Sequence, residues 1–299
     1  MAPPPASPLI RQAMGAEAPR LLLIHTGGTI AMAPGPEGLA PSLGLLEAAI
    51  RRRLNAGVEL ECHSFAPLVD SADMGPSHWN RILDIIDSHP DHPVLLTHGT
   101  DTMAFTGAAL DRALTGMGRR VILCGAMAPL DHDGVAERTL DLALELTRIP
   151  KSGVFLAFGG RSLPTAGLVK QHSHASEAFD NIPQTPSRAP ARRRFDDRKL
   201  AILTLSPGLP CEVLAAQLAA LDGAVLRLYG TGTATTDPAL HCVIENAIRA
   251  GKRIRAVSQC TRGGLAPGTY AAGAKLWAAG VKNGGTETPE TALVELWIN

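Results

Sequence analysis

Apolar residues recur along the chain as short continuous runs, each broken by a glycine-rich turn. Leu21-Leu22-Leu23-Ile24 leads into Thr26-Gly27-Gly28-Thr29, and Val94-Leu95-Leu96-Thr97 into His98-Gly99-Thr100. Val121-Ile122-Leu123-Cys124 leads into Gly125-Ala126, and Val154-Phe155-Leu156-Ala157-Phe158 into Gly159-Gly160. Runs this short, bounded by turn residues, read as buried strands. Between them, residues 43–54, 77–86, 104–114 and 136–146 carry helical amphipathic spacing. Ser77 and Asp101 stand where N-caps are expected. Strands alternating with helices predict an α/β fold, a parallel sheet with helices on both faces.

The pattern lapses over residues 183–199, where Pro183, Pro186 and Pro190 lie among arginines, and a linker is expected there. A second, smaller α/β set follows. Strands are predicted at 200–205, 224–229 and 253–258, and helices at 211–221, 238–250, 270–279 and 289–296. The expected organisation is a leader at 1–19, a larger domain at 20–182 and a smaller one at 200–299. A length of 299 residues suits two such units.

Composition adds mainly exclusions. The formal net charge is +0, so nothing in the overall balance recruits nucleic acid or an anionic membrane. Arg192-Arg193-Arg194 is the local exception. Because Asp196-Asp197 follows at once, it reads as a solvated linker rather than a binding patch. The five cysteines are odd in number and widely spaced, with no C-x-x-C pair, which argues against a disulfide framework or a zinc site. Half-buried thiols in a reducing compartment are the better reading. Residues 1–20 are rich in Pro and Ala and lack an apolar h-region, so no secretory signal is expected. No apolar run approaches a membrane-spanning length. A cytoplasmic protein follows.

Ligands of open parallel sheets bind at the carboxyl ends of strands where the winding reverses. That rule selects the loops at residues 26–32, 98–103 and 125–127. Alone, T-G-G-T could be only a tight turn with a Thr hydrogen bond. H-G-T-D-T is more pointed, since it sets a hydroxyl beside a carboxylate at a helix start, although Asp101 could be only an N-cap. His172 and His174 form an H-x-H pair with Glu177 as the only other nearby ligand type, a poor metal pattern. His25 and His98 sit at strand ends and read as packed residues.

From Leu21 to Ile298 the chain resembles the bacterial-type L-asparaginases, close to their cytoplasmic type I branch. The resemblance rests on Ile24-His25-Thr26-Gly27-Gly28-Thr29-Ile30, Asp70-Ser71-Ala72-Asp73-Met74 and His98-Gly99-Thr100-Asp101-Thr102-Met103. It continues through Gly125-Ala126-Met127, Lys170 with His172, and Tyr229-Gly230-Thr231-Gly232. It implies Thr29 as primary nucleophile and Thr100, Asp101 and Lys170 as a supporting triad. Gly28, Ser71, Ala72, Gly99, Thr100, Asp101 and Ala126 would bind the substrate, with Ser71 and Asp101 on its α-carboxylate and α-ammonium and Ala126 meeting the amide through its backbone. The implied reaction is hydrolysis of L-asparagine to L-aspartate and ammonia through an acyl-enzyme, with no metal and no organic cofactor. The partner is a small amino acid. The resemblance also implies a homodimer or homotetramer, with the Tyr229–Thr233 segment bordering a neighbour's site.

Family members carry a tyrosine on a flexible loop after the nucleophile. Its place here falls on Leu39, in a lid marked by Gly35 and Gly38, and leucine relays no proton. Ala72, Thr233 and Val169 are further departures, the last of them weakening any expectation of allosteric control by asparagine. A glutaminase or other small side-chain amidase is the nearest alternative, and a non-catalytic amino-acid-binding homologue is a second. An ammonia-supplying transamidosome component carries an extra N-terminal domain, for which the leader leaves no room.

Overall fold

A computed structural model describes residues 19–35, 38–42, 44–186 and 188–299. The expected leader lies outside these, apart from its last residue, as do Pro36 and Glu37 of the expected lid.

The apolar runs become strands. In chain order the first half forms β1 (Arg20–His25), β2 (Met32–Gly35), β3 (Gly38–Pro41), β4 (Glu59–Ser64), β5 (Val94–Thr97), β6 (Arg120–Cys124), β7 (Gly153–Phe158), β8 (Arg161–Pro164), β9 (Leu168–Lys170) and β10 (Phe179–Asn181). Helices α1 (Leu45–Arg51), α2 (Pro76–Ser88), α3 (Met103–Leu114) and α4 (Val135–Arg148) lie between them. The main sheet runs β4-β1-β5-β6-β7-β8, parallel except for β8. Alternation along its strands sorts the side chains. Leu22, Ile24, Leu96 and Leu123 enter the core with α2 and α3, while Leu21, Leu23, Leu95 and Ile122 enter the core with α1 and α4. Both faces are covered, which is why the strands read as unbroken apolar runs.

The second half repeats the scheme with β11 (Leu200–Thr204), α5 (Cys211–Ala219), β12 (Gly223–Leu228), α6 (Pro238–Arg249), β13 (Arg253–Ser258), α7 (Ala271–Ala279), β14 (Lys282–Asn283) and α8 (Pro289–Ile298). Its sheet is parallel in the sequential order β11-β12-β13-β14. One face packs on α5, α6 and α7. The other meets α8, which also packs on α3, so Val225, Val257, Leu293 and Trp297 share a core with the first sheet. Among the described residues no helix is long and apolar enough to cross a membrane.

Four expectations are corrected. Helix α2 begins at Pro76 with Gly75 as N-cap, so Ser77 lies inside the first turn; proline's fixed φ suits that first position. Helix α3 begins at Met103 after Thr102, and Asp101 is not its cap. The arginine segment is not a solvated linker. Arg194 pairs with Asp84 at 2.9 Å and Asp87 at 2.6 Å, Arg193 donates to the Ala113 carbonyl, and Phe195 lies buried 5.1 Å from the Trp79 ring centroid and 6.4 Å from that of Trp297. It is a strap closed over the shared core. Of the five thiols, Cys62 and Cys211 are half-buried as expected, but Cys124 is fully buried and Cys242 and Cys260 are exposed.

Candidate active site

In the main sheet the winding reverses between β1 and β5, since β4 returns to one side of β1 and β5 takes the other. The loops leaving β1 and β5 therefore splay apart and leave a crevice. It is a cavity of about 310 Å³ lined by Gly27, Gly28, Thr29, Ala31, Met32, Pro41, Leu68, Val69, Asp70, Ser71, Gly99, Thr100 and Asp101.

Two glycines set how closely its walls approach. Gly28 has φ +101°, and a Cβ there would fall 2.7 Å from the His98 carbonyl. A Cβ on Gly99 would fall 2.5 Å from the Ser71 hydroxyl oxygen. Without a side chain at Gly28 the loop after β1 touches the backbone just past β5 where both leave the sheet, before they diverge, and without one at Gly99 the loop after β5 packs against the Ser71 side chain of the turn after β4. Thr29 then begins a 3-10 turn whose Ile30 is fully buried, fixing where the Thr29 hydroxyl starts. That hydroxyl has no hydrogen-bond partner among the described residues.

Ser71 begins a second 3-10 turn, capped by the Asp70 carboxylate, which accepts from the Ala72 N–H at 2.9 Å. The Thr102 hydroxyl donates to the Ser71 carbonyl and ties this turn to the entry of α3.

Lys170 arrives from far along the chain. It ends β9, paired antiparallel with β10 so that Lys170 lies opposite Phe179, itself packed on Phe158 at 4.9 Å. From there Nζ donates to the Thr100 hydroxyl at 3.0 Å and to Asp101 Oδ1 at 2.7 Å. The lysine side chain is only 18% exposed, whereas that of Asp101 is 69% exposed. The ammonium is thus held inward by a carboxylate that bonds it through Oδ1 and whose side chain is itself mostly exposed.

Beneath the floor lie two neutral imidazoles. His25 Nδ1 meets the Thr97 hydroxyl at 2.7 Å, and His98 Nε2 meets the Thr106 hydroxyl at 2.8 Å. Burial pushes both down to about 4. Neither borders the cavity. They are packed residues, as their strand-end positions suggested.

The sequence-based residues therefore divide. Gly28, Thr29, Ser71, Gly99, Thr100 and Asp101 line one cavity, and Lys170 bonds to two of them. Ala72 and Ala126 do not border it. Ala72 is exposed on its turn, and the Ala126 side chain packs in the core with α1 and α4. Asp70, Val69 and Leu68 do border it, and only Asp70 carried a signal, by standing in the Asp70–Met74 motif. His172 Nδ1 accepts from the N–H groups of His174 and Ala175, so one nitrogen of that pair is already used.

The expected lid is a hairpin of β2 and β3, in which Leu39 lies opposite Pro34 and is 50% exposed. The two tyrosines of the chain lie elsewhere. Tyr229 lines a separate cavity beside Leu205 and Asp237, and Tyr270 is exposed.

Comparison with known proteins agrees with this geometry. Residues 20–195 match the family model described as asparaginase, N-terminal, and residues 199–298 match the glutaminase/asparaginase C-terminal domain. The chain is 29% identical to L-asparaginase 1 of Escherichia coli, over 92% of this chain and 90% of that one. It superposes on the thermostable L-asparaginase from Thermococcus kodakarensis with a TM-score of 0.81 at 30% identity, covering 93% and 92% of the two chains. It also superposes on L-asparaginase I from Vibrio cholerae with a TM-score of 0.79 at 28% identity, covering 94% and 92% of the two chains.

Proposed function

The chain belongs to the asparaginase family, and from that premise we propose that it hydrolyses L-asparagine to L-aspartate and ammonia with Thr29 as nucleophile. The observation that carries this reading is the meeting of Thr29, Ser71, Thr100 and Asp101 on one cavity, with Lys170 bonded to Thr100 and Asp101.

Thr29 Oγ1 attacks the side-chain amide carbon, forming a C–O bond and a tetrahedral oxyanion. N–H groups at the entry to α3 are its donors. Collapse breaks the C–N bond, and ammonia leaves with a proton relayed from the Thr29 hydroxyl. Water then cleaves the Thr29 ester to give the carboxylate product. Lys170 and Thr100 serve as the proton relay, for which the amine must first shed a proton. The exposed carboxylate of Asp101 takes the substrate's α-ammonium, and Ser71 its α-carboxylate. We further propose a cytoplasmic homo-oligomer, a homodimer or homotetramer, in which the Tyr229–Thr233 segment of one protomer borders the cavity of another.

Ammonia release from L-asparagine by the wild type, against Thr29→Ala and Lys170→Met, tests the reading. A positioned proton relay is worth roughly 10²–10⁴-fold, so Lys170→Met should fall by that much and Thr29→Ala at least as far. Stability should barely move, because the half-exposed Lys170–Asp101 pair is worth about 1 kcal/mol or less. Equal ammonia release by wild type and Thr29→Ala would falsify the nucleophile. A wild type that binds asparagine without turnover would favour the non-catalytic reading that Leu39 and the unpartnered Thr29 hydroxyl suggest. A higher kcat/KM for glutamine would move the substrate, since one methylene is worth only about 1–3 kcal/mol in a pocket.

A further inference from the structure

Away from the cavity, on the edge strand β4, three imidazoles and a carboxylate converge. Residues of β4 alternate between faces, and the register sets Glu61 beside Leu22 and His63 beside Ile24, on the face covered by α2. Helix α2 ends at Ser88, so His89 and His92 follow at its C-terminus. Glu61 Oε1 lies 2.6 Å from His89 Nε2 and 3.2 Å from His63 Nε2, and Glu61 Oε2 lies 3.8 Å from His92 Nε2. None of the four lines the cavity at Thr29.

Proton bookkeeping at His89 is informative. Its Nδ1 lies 2.7 Å from the Ile85 carbonyl oxygen, which can only accept, and 3.0 Å from the Ser88 hydroxyl, whose own hydrogen goes to that same carbonyl at 2.8 Å, so Nδ1 carries a hydrogen. In the neutral ring Nε2 is then a lone pair aimed at a carboxylate oxygen. Two acceptors at that distance need a cation between or upon them, either a proton or a metal ion. Fixing of one ring nitrogen by a backbone carbonyl is also how metal-bound histidines are oriented.

His92 supplies an independent observation. Its side chain is 10% exposed, and both ring nitrogens are buried without a hydrogen-bond partner among the described residues. An unpaired buried polar group costs about 1–3 kcal/mol. Its edge-on packing against His89, with centroids 5.3 Å apart, does nothing for those nitrogens. The nearest opposite charge is Glu61. Of the guanidiniums near this edge, Arg20 pairs with Glu59 at 3.4 Å, Arg119 donates to the carbonyls of Ile86 and His89, and Arg51 borders the same surface as Glu61 and His92.

We propose that Glu61, His63, His89 and His92 form a binding site for a divalent transition-metal ion, Zn²⁺, that clamps the edge strand β4 to the end of α2. Imidazole nitrogen and carboxylate oxygen are ligands that Zn²⁺ takes at about 2.0–2.2 Å in tetrahedral geometry. The ligand atoms of Glu61, His63 and His89 already lie within 4.8 Å of one another. Glu61 is half exposed, so it has the freedom to open its short contacts around an ion. The clamp also ties down an edge strand of the main sheet, whose free side is otherwise open to pairing with another chain.

Co²⁺, whose visible d–d bands report coordination, is titrated into the full untagged chain. The expected result is saturable one-to-one binding with tetrahedral-type bands that Zn²⁺ abolishes. Glu61→Gln and His89→Gln should each weaken it by roughly tenfold or more, and His172→Ala should leave it unchanged. Zn²⁺ should raise the Tm of the wild type and not that of Glu61→Gln. Because Glu61 is a surface residue, that variant should fold and keep the wild-type rate of ammonia release. Absence of saturable binding would overturn the proposal, as would binding that Glu61→Gln and His89→Gln leave unweakened. In that case the cluster is a carboxylate–imidazolium pair, with the needed positive charge carried by a proton.

Discussion

The two parallel sheets are built from the same parts but wound differently. In the first, β1 has β4 on one side and β5 on the other, and the loops leaving β1 and β5 part to form the cavity. In the second, the order β11-β12-β13-β14 follows the chain and never reverses. Their loops are locally alike. Thr26-Gly27-Gly28-Thr29 leaves β1, and Tyr229-Gly230-Thr231-Gly232-Thr233 leaves β12. What differs is the surroundings. Gly28 abuts the His98 backbone, which brings Thr29 to Thr100, whereas a Cβ added at Gly230 would face open space and one at Gly232 would meet first the Trp277 ring and the Leu265 side chain. A glycine–threonine turn becomes a site where strand order brings a second such turn against it.

Substituting matched glycines breaks the comparison most sharply. Gly28→Ala places a Cβ 2.7 Å from backbone at a φ that side chains avoid, and should cost about 3 kcal/mol or more along with most ammonia release. Gly230→Ala, at φ +46° with nothing within 4 Å of the added Cβ, should cost only about 1 kcal/mol and leave more of the ammonia release than Gly28→Ala does. Urea denaturation with a parallel ammonia assay measures both. Equal losses would mean that close approach is not what distinguishes the loops.

Acid should act on the first sheet through its buried imidazoles. His25 and His98 titrate at about 4 in the folded protein, against 6.5 for a free imidazole, because burial disfavours the charged ring. Between those values the unfolded chain binds the extra protons, so stability is fully present above pH 6.5 and falls as pH drops toward 4. The loss is on the order of 3 kcal/mol per histidine. Unfolding free energies measured across that window test this. His98→Gln should flatten part of the slope, and a slope unchanged in that variant would remove His98 from the account.

The smallest expected effect moves a phenol from one region to the other. The second sheet carries Tyr229, whereas the hairpin over the first sheet's cavity presents Leu39. Leu39→Tyr should raise ammonia release by about tenfold, equivalent to about 1.4 kcal/mol of barrier. Since Leu39 is exposed, stability should shift by less than about 0.5 kcal/mol. An unchanged rate would show that Thr29 is activated without help from the hairpin.

Legibility from sequence followed the same division. Strands β1, β5, β6 and β7 announce themselves because burial on both faces demands apolar residues at every position. Strand β4 escapes notice because, at the sheet edge, Glu59, Glu61 and Ser64 are exposed or half-exposed and interrupt the run. The hairpin of β2 and β3 is nearly as hidden, its Ala, Pro and Gly residues resembling loop. Within the site, Thr29, Thr100 and Asp101 stand in motifs, but Lys170 looks like an ordinary loop lysine until resemblance to a family singles it out.

The chain by itself determined the apolar strands, the helices between them and the glycine turns after β1 and β5. Those features follow from local conformational limits and from the need to bury one side-chain set or both. Only the tertiary structure decided that Lys170 reaches Thr100 across 70 residues of chain, that the 192–198 strap closes over the aromatic core, and that Glu61 meets three histidines. Each is a contact between residues with no local constraint linking them. Strand order and helix packing set such contacts, and neither is written in any one stretch of sequence.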